Sequence, residues 1–225
     1  MKHLIRKKLE LIAPKIFNAI RIWRFKKWVL PDVFLKHLKR LNSDSLAIDI
    51  GANIGIISEC IATTGANVIS FEPNKEAFKK LECVSWRYQN IRAHPVAAGI
   101  KNDIVKLYLH KDSIKKTNKN LTVSSSLKSE KPNVSSEYFE EINEIDFAEC
   151  LVNLDRYVDL IKIDIEGYEI ELINHILDRG MLNNIGMIYL ETHERKFPAL
   201  KDATQRLKLR IKKEGYEKKF YFDWR

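Results

Sequence analysis

The chain has 225 residues, 45% of them hydrophobic and 31% charged, a balance that excludes a disordered or fibrous protein and suits one α/β domain with a real core. Cys60, Cys83 and Cys150 stand far apart without a CxxC pair, which argues against a disulfide framework or zinc site and for a reducing, cytoplasmic compartment. The formal net charge of +9 is uneven: residues 1 to 40 carry +10, residues 201 to 225 carry +5, and the middle carries −6.

In the first segment, Leu4, Ile5, Leu9, Ile12, Ile16, Phe17 and Ile20 recur near helical spacing, with Lys and Arg between them and Trp23, Phe25 and Trp28 at the far end. The pattern predicts a basic amphipathic helical segment over 1–43, ahead of a domain over 44–225. Three uses compete for it. It can pack its apolar stripe on the domain, lie on an anionic membrane as a peripheral contact through residues 1–40, or meet a polyanion such as nucleic acid. An organellar transit peptide is a further reading. No apolar run reaches the ~18 residues of a transmembrane helix, and no stretch near the start resembles a signal-peptide core.

Next comes the strongest signal. An apolar strand over 46–50 runs into Asp49-Ile50-Gly51-Ala52-Asn53-Ile54-Gly55, and a helix follows over 54–63. A strand, a tight glycine turn and a helix start are how a Rossmann-like sheet cradles a nucleotide cofactor. A second strand over 67–71 ends in Glu72-Pro73-Asn74, with Glu72 placed 23 residues after Asp49. A carboxylate there, at the tip of the neighbouring strand, accepts from both ribose hydroxyls. A helix over 75–86, a strand near 91–97 and an added strand over 105–110 continue the rhythm of a parallel sheet with right-handed crossovers. From Lys111 to Asn143 the chain is rich in Ser, Asn, Lys and Glu and reads as loops with a short helix near 135–143.

Two later strands also end in charge. In Ile161-Lys162-Ile163-Asp164-Ile165-Glu166-Gly167 the period of two puts Lys162, Asp164 and Glu166 on one face. Burying a Lys and two carboxylates is costly unless they are paired or meet a ligand. In Met187 to His193 the pair Glu191 and His193 reaches the strand end where ligands collect, and an imidazole oriented by a carboxylate is a candidate general base. No His, Asp and Glu show metal-ligand spacing, so no metal is expected, although Asp164, Glu166 and His193 could converge on a divalent ion. A helix over 199–214 leaves only 215–224 for a final strand.

These residues together carry a resemblance. Asp49 to Gly55, Phe71-Glu72-Pro73-Asn74, Val96-Ala97-Ala98-Gly99, Leu154-Asp155 and Ile161 to Gly167, in that order, resemble the FkbM-type methyltransferases over residues 46 to 193. The resemblance implies a class I methyltransferase fold, Rossmann-like, with a mostly parallel doubly wound sheet and helices on both faces. It implies S-adenosyl-L-methionine as cofactor and O-methylation of a hydroxyl-bearing acceptor, such as a sugar, polysaccharide, polyketide or lipid-linked glycan. Carried over by position, Asp49, Gly51, Ala52, Asn53 and Gly55 hold the methionine end; Glu72, with Pro73 and Asn74, takes the ribose; Ala97 neighbours the adenine. Asp164 lies near the sulfonium and acceptor, and His193 or Glu166 takes the proton. The terminal hairpin looks shortened, and the basic first 40 residues lie outside the match.

Other classes fit less well. A nicotinamide enzyme wants GxGxxG, where this chain has GxxxG. An RNA or other nucleic-acid methyltransferase suits the pI of about 9.3, but its amino-methylating kinds show an Asn/Asp-Pro-Pro-aromatic string where Asp164-Ile165-Glu166-Gly167 stands. A non-catalytic membrane or partner adaptor would keep the glycine turn and need none of Asp164, Glu166 or His193. Nothing in the sequence sets the oligomeric state.

Overall fold

The computed structural model describes residues 22, 23, 25, 26, 29 to 111, 125 to 129 and 131 to 224. The basic amphipathic segment read from the sequence falls mostly outside them. Its described end holds a buried Ile22 and an exposed Trp23. No helix among the described residues is long and apolar enough to cross a membrane.

In chain order the strands are β1 (Leu46–Ile50), β2 (Asn67–Phe71), β3 (Ile91–His94), β4 (Ala97–Gly99), β5 (Asp103–His110), β6 (Val134–Asp146), β7 (Val158–Ile163), β8 (Ile185–Leu190) and β9 (Phe220–Tyr221). The helices are α1 (Asp32–Leu38), α2 (Ile56–Ala62), α3 (Lys75–Arg87), α4 (Phe147–Leu154), α5 (Glu169–Asp178) and α6 (Lys201–Lys213). A main sheet of order β3-β2-β1-β7-β8-β9 has only parallel pairings, and a smaller sheet of order β4-β6-β5 stands beside it.

All five residues of β1 are buried, as a strand covered on both faces requires. The two-residue period divides the core. Ile48, Ile50, Ile69, Ile161 and Ile163 pack with Phe147, Leu151, Leu172, Ile173, Leu207 and Ile211 from α4, α5 and α6. Ala47, Val68, Leu160 and Tyr189 pack on the other side with Phe34, Leu38, Cys60, Ile61 and Val84 from α1, α2 and α3. The chain is thus an α/β fold with a parallel sheet and helices on both faces, as the sequence reading expected.

Three local expectations are corrected. The short helix near 135–143 is part of the long strand β6, paired antiparallel with β5. Residues 136 to 139 of β6 are exposed in succession, so no apolar alternation announces the strand, and cross-strand pairing overrides local propensity. The strand near 91–97 divides at Pro95, which has no N–H for a ladder, and Ala97–Gly99 leaves to pair with β6. The strand holding Lys162 stops at Ile163, so Asp164 and Glu166 stand in the loop beyond its carboxyl end rather than inside the sheet.

Candidate active site

The carboxyl ends of β1, β2 and β7 open into a cleft, part of it open to solvent, which the smaller sheet flanks through Ala97, Ala98 and Leu107. Ligands collect at this end of an open parallel sheet. Of the residues read from the sequence as cofactor-binding, Gly51, Asn53, Glu72, Pro73 and Ala97 line it. Asp49, Ala52, Gly55 and Asn74 do not.

The glycine turn is shaped first by its own chain. The N–H groups of Gly51 and Ala52 both donate to the Phe71 carbonyl, which fastens the turn to the end of β2. Gly51 has φ +71, and a Cβ there would stand 1.9 Å from the carbonyl oxygen of Asp164. Gly55, at φ +82, lies against Leu81 of α3, whose Cδ1 a Cβ would meet at 2.9 Å. Both glycines are needed to let neighbouring segments approach, and only Gly51 also faces the cavity.

Asp49 lies under the turn. Its register partners are Ser70 on β2 and Lys162 on β7. Ser58 Oγ donates to Asp49 Oδ2 at 2.6 Å, Ser70 Oγ donates to Ser58 at 2.9 Å, and Lys162 Nζ stands 3.3 Å from Asp49 Oδ1. Lys162 also donates to the Gly51 carbonyl at 2.8 Å. Burial alone would lower the Lys162 pKa, but Asp49 and Asp164 overcome it and raise the pKa. This buried network fixes the floor of the cavity.

Glu72 is 7% exposed. The N–H of Asn53 donates to its Oε2 at 2.7 Å and that of Asn74 to its Oε1 at 2.8 Å. Each oxygen keeps a lone pair for a further donor. Burial pushes its pKa up to about 7 against these hydrogen bonds. Asn74 is a helix cap: its Oδ1 accepts from Glu76 and Ala77 at the start of α3. The apolar part of the cavity is formed by Phe71, Ala97, Ala98, Leu107 and Leu127.

A second group of charges lies on the opposite side. Asp164 and Glu166 line the cavity, and His193 is buried behind them. His193 Nε2 stands 3.1 Å from Glu166, 3.6 Å from Glu191 and 3.7 Å from Asp164, while Nδ1 stands 2.8 Å from Glu169. Burial would lower the His193 pKa, but the carboxylates of Glu166 and Glu169 push it up to about 10. Burial would likewise raise Glu166, yet His193 and Lys131, whose ammonium pairs with Glu166, hold it at about 2. Glu191 is raised, first by burial and then by Asp164, although Lys196 pairs with it at 3.0 Å.

The loop that presents these groups is held under strain. Glu166 is a non-glycine residue at φ +58, a conformation costing roughly 1–2 kcal/mol. Glu169 holds it there by accepting the N–H groups of Ile165 and Gly167, while Ser126 donates to the Glu166 carbonyl at 2.9 Å. Lys131, Glu169 and Ser126 had no role in the sequence reading. Glu169 stood three residues after Glu166 as a visible acid at a helix start, but nothing local marks Lys131, which reaches the site only through the fold.

A family model described as the methyltransferase FkbM domain matches residues 49–218. The hexuronic acid methyltransferase AglP of Haloferax volcanii is 27% identical over 179 residues, 78% of this chain and 66% of that protein, so the chain spans just under two thirds of this relative. Among solved structures, the precorrin 8W decarboxylase of Methanobacterium thermoautotrophicum has TM-score 0.41 and 16% identity, with 78% of this chain and 69% of that one covered. The N-terminal domain of human METTL16 in complex with SAH has TM-score 0.38 and 13% identity, with 89% and 60% covered.

Proposed function

Because the chain belongs to the FkbM methyltransferase family, and is therefore an S-adenosylmethionine-dependent methyltransferase, we propose that it methylates a hydroxyl of a sugar on a glycan or related metabolite. The observation that carries the sugar acceptor is the likeness to a hexuronic acid methyltransferase across 78% of this chain.

The cavity suits the cofactor. Glu72 is a buried acceptor with a free lone pair on each oxygen, fitted to two ribose hydroxyls, and the apolar wall at Ala97, Ala98 and Leu107 fits a flat base. Gly51 and Asn53 are the part of the turn open to the methionine end. When bound, S-adenosylmethionine supplies an electrophilic methyl group on a sulfonium. Asp164, beside Gly51 and partly exposed to the cavity, orients the acceptor hydroxyl and accepts its proton. Asp164 is the most accessible of the three, its side chain 29% exposed against 17% for Glu166, which pairs with Lys131, and none for His193.

The purified protein, incubated with labelled S-adenosylmethionine and a cell extract, is expected to place label in the glycan fraction. Asp164→Asn is expected to lose at least ~10²-fold in turnover while still binding cofactor. Label found in RNA instead would sink the sugar reading and favour a nucleic-acid acceptor.

A further inference from the structure

We propose that Asp164, Glu191 and His193 bind one divalent cation of the first transition row on the acceptor side of the cavity, and that this ion carries the acceptor hydroxyl. The proposal rests on the reading of the cavity as a methyl-transfer site. One carboxylate oxygen each from Asp164 and Glu191 and one ring nitrogen of His193 lie within 4.8 Å of one another. His193 Nε2 stands 3.7 Å from Asp164 and 3.6 Å from Glu191, a spacing that donors sharing an ion with bonds of about 2 Å can take up with small movements.

The His193 ring points to a ligand independently of the acids. Its side chain is fully buried, and neither nitrogen makes an aligned hydrogen bond despite the oxygens nearby. Glu169 lies behind Nδ1 at 2.8 Å and is itself fixed by backbone N–H groups. A carboxylate behind one imidazole nitrogen is the arrangement that directs the other nitrogen at a metal. Here the other nitrogen faces Asp164, Glu166 and Glu191. Lys131 is committed to Glu166 and Lys196 to Glu191, and Lys162, 3.8 Å from Asp164, is shared with Asp49 at 3.3 Å, so the acids of the group outnumber the lysines that pair with them. An imidazole with two carboxylates suits manganese, iron, cobalt or zinc better than calcium.

The ion supplies what the protein groups lack. A hydroxyl bound to it has a lowered pKa, so its proton passes to a carboxylate oxygen of Asp164 that is not on the ion. The acceptor oxygen then forms the new C–O bond while the S–C bond pair stays on sulfur as a neutral thioether.

Metal-free full-length protein without cofactor is titrated with Mn²⁺, the free ion being followed by electron paramagnetic resonance. One equivalent is expected to bind, and Glu191→Gln and Asp164→Asn are each expected to weaken it ~10-fold or more, with Glu169→Gln weakening it 10–100-fold as an orienting residue, on the order of such outer-shell losses. Failure to bind stoichiometrically, or equal affinity in native protein and in both ligand variants, overturns the proposal. A parallel titration with S-adenosylhomocysteine separates the two ideas. Retained binding of that product without Mn²⁺ binding removes the ion alone, whereas loss of both removes the cavity reading on which it rests.

Discussion

Glu72 shows at the scale of one residue how a binding site is maintained against stability. Its folded pKa of about 7 lies above its ordinary 4.5, so between those values the folded protein holds more protons than the unfolded chain. Stability therefore falls as pH rises from 4.5 through 7, by on the order of 3 kcal/mol when the change is complete. Cofactor-free native protein is expected to show this decline in thermal unfolding, and Glu72→Gln is expected to lack the slope. The same variant is expected to bind S-adenosylmethionine at least ~10-fold more weakly, since hydrogen bonds to a charged acceptor are worth roughly 1.5–3 kcal/mol each. A variant with the native slope and native affinity would show that Glu72 does neither job. Glu72 was legible because its distance from the glycine turn follows from the length of one crossover. Asp49 was legible as important, but its buried pairing with Ser58 and Lys162 depends on strand register, which the sequence does not print.

At the scale of elements, Asn74 separates capping from binding. It sits beside Glu72 in the sequence and reads as part of the ribose site, yet its Oδ1 is spent on the first N–H groups of α3, and its Nδ2 donates to Ser125 at 3.4 Å. Asn74→Ala is expected to cost about 1 kcal/mol in urea unfolding, the usual loss of a helix cap, with cofactor affinity unchanged at temperatures where both proteins are folded. A large loss of affinity with no loss of stability would restore the binding role. The parallel strands were legible because buried strands are continuous apolar runs. β6 was not, because its exposed middle carries no alternation and only its pairing with β5 makes it a strand. Asp164, Glu166 and His193 came to notice because charge at a strand end is expensive. Lys131 completes the group through tertiary contact alone, whereas Glu169 does so from the start of α5, next to the loop it fastens.

Across the whole molecule, the fold packs α1 against the described residues near the carboxyl end of the chain. Phe34 of α1 lies against Trp224 with ring centroids 4.7 Å apart and against Tyr189 of β8 at 4.8 Å. Phe34, Tyr189 and Trp224 belong to the core on the α1, α2 and α3 side of the sheet. The contact between Gly51 and the Asp164 carbonyl joins the other two regions of interest. The loop after β7 can approach the glycine turn only because Gly51 has no side chain, and Lys162 ties the two by donating to the Gly51 carbonyl. If the glycine turn holds the donor and the loop after β7 meets the acceptor, as proposed, the two sites are expected to be coupled through this contact. Acceptor affinity is expected to differ with and without S-adenosylhomocysteine, and linkage requires the product's affinity to change by the same factor when acceptor is added. Equal affinities in both calorimetric titrations would show two independent sites. A shared factor would show that what fills the turn at Gly51 and what fills the loop after β7 are one thermodynamic unit.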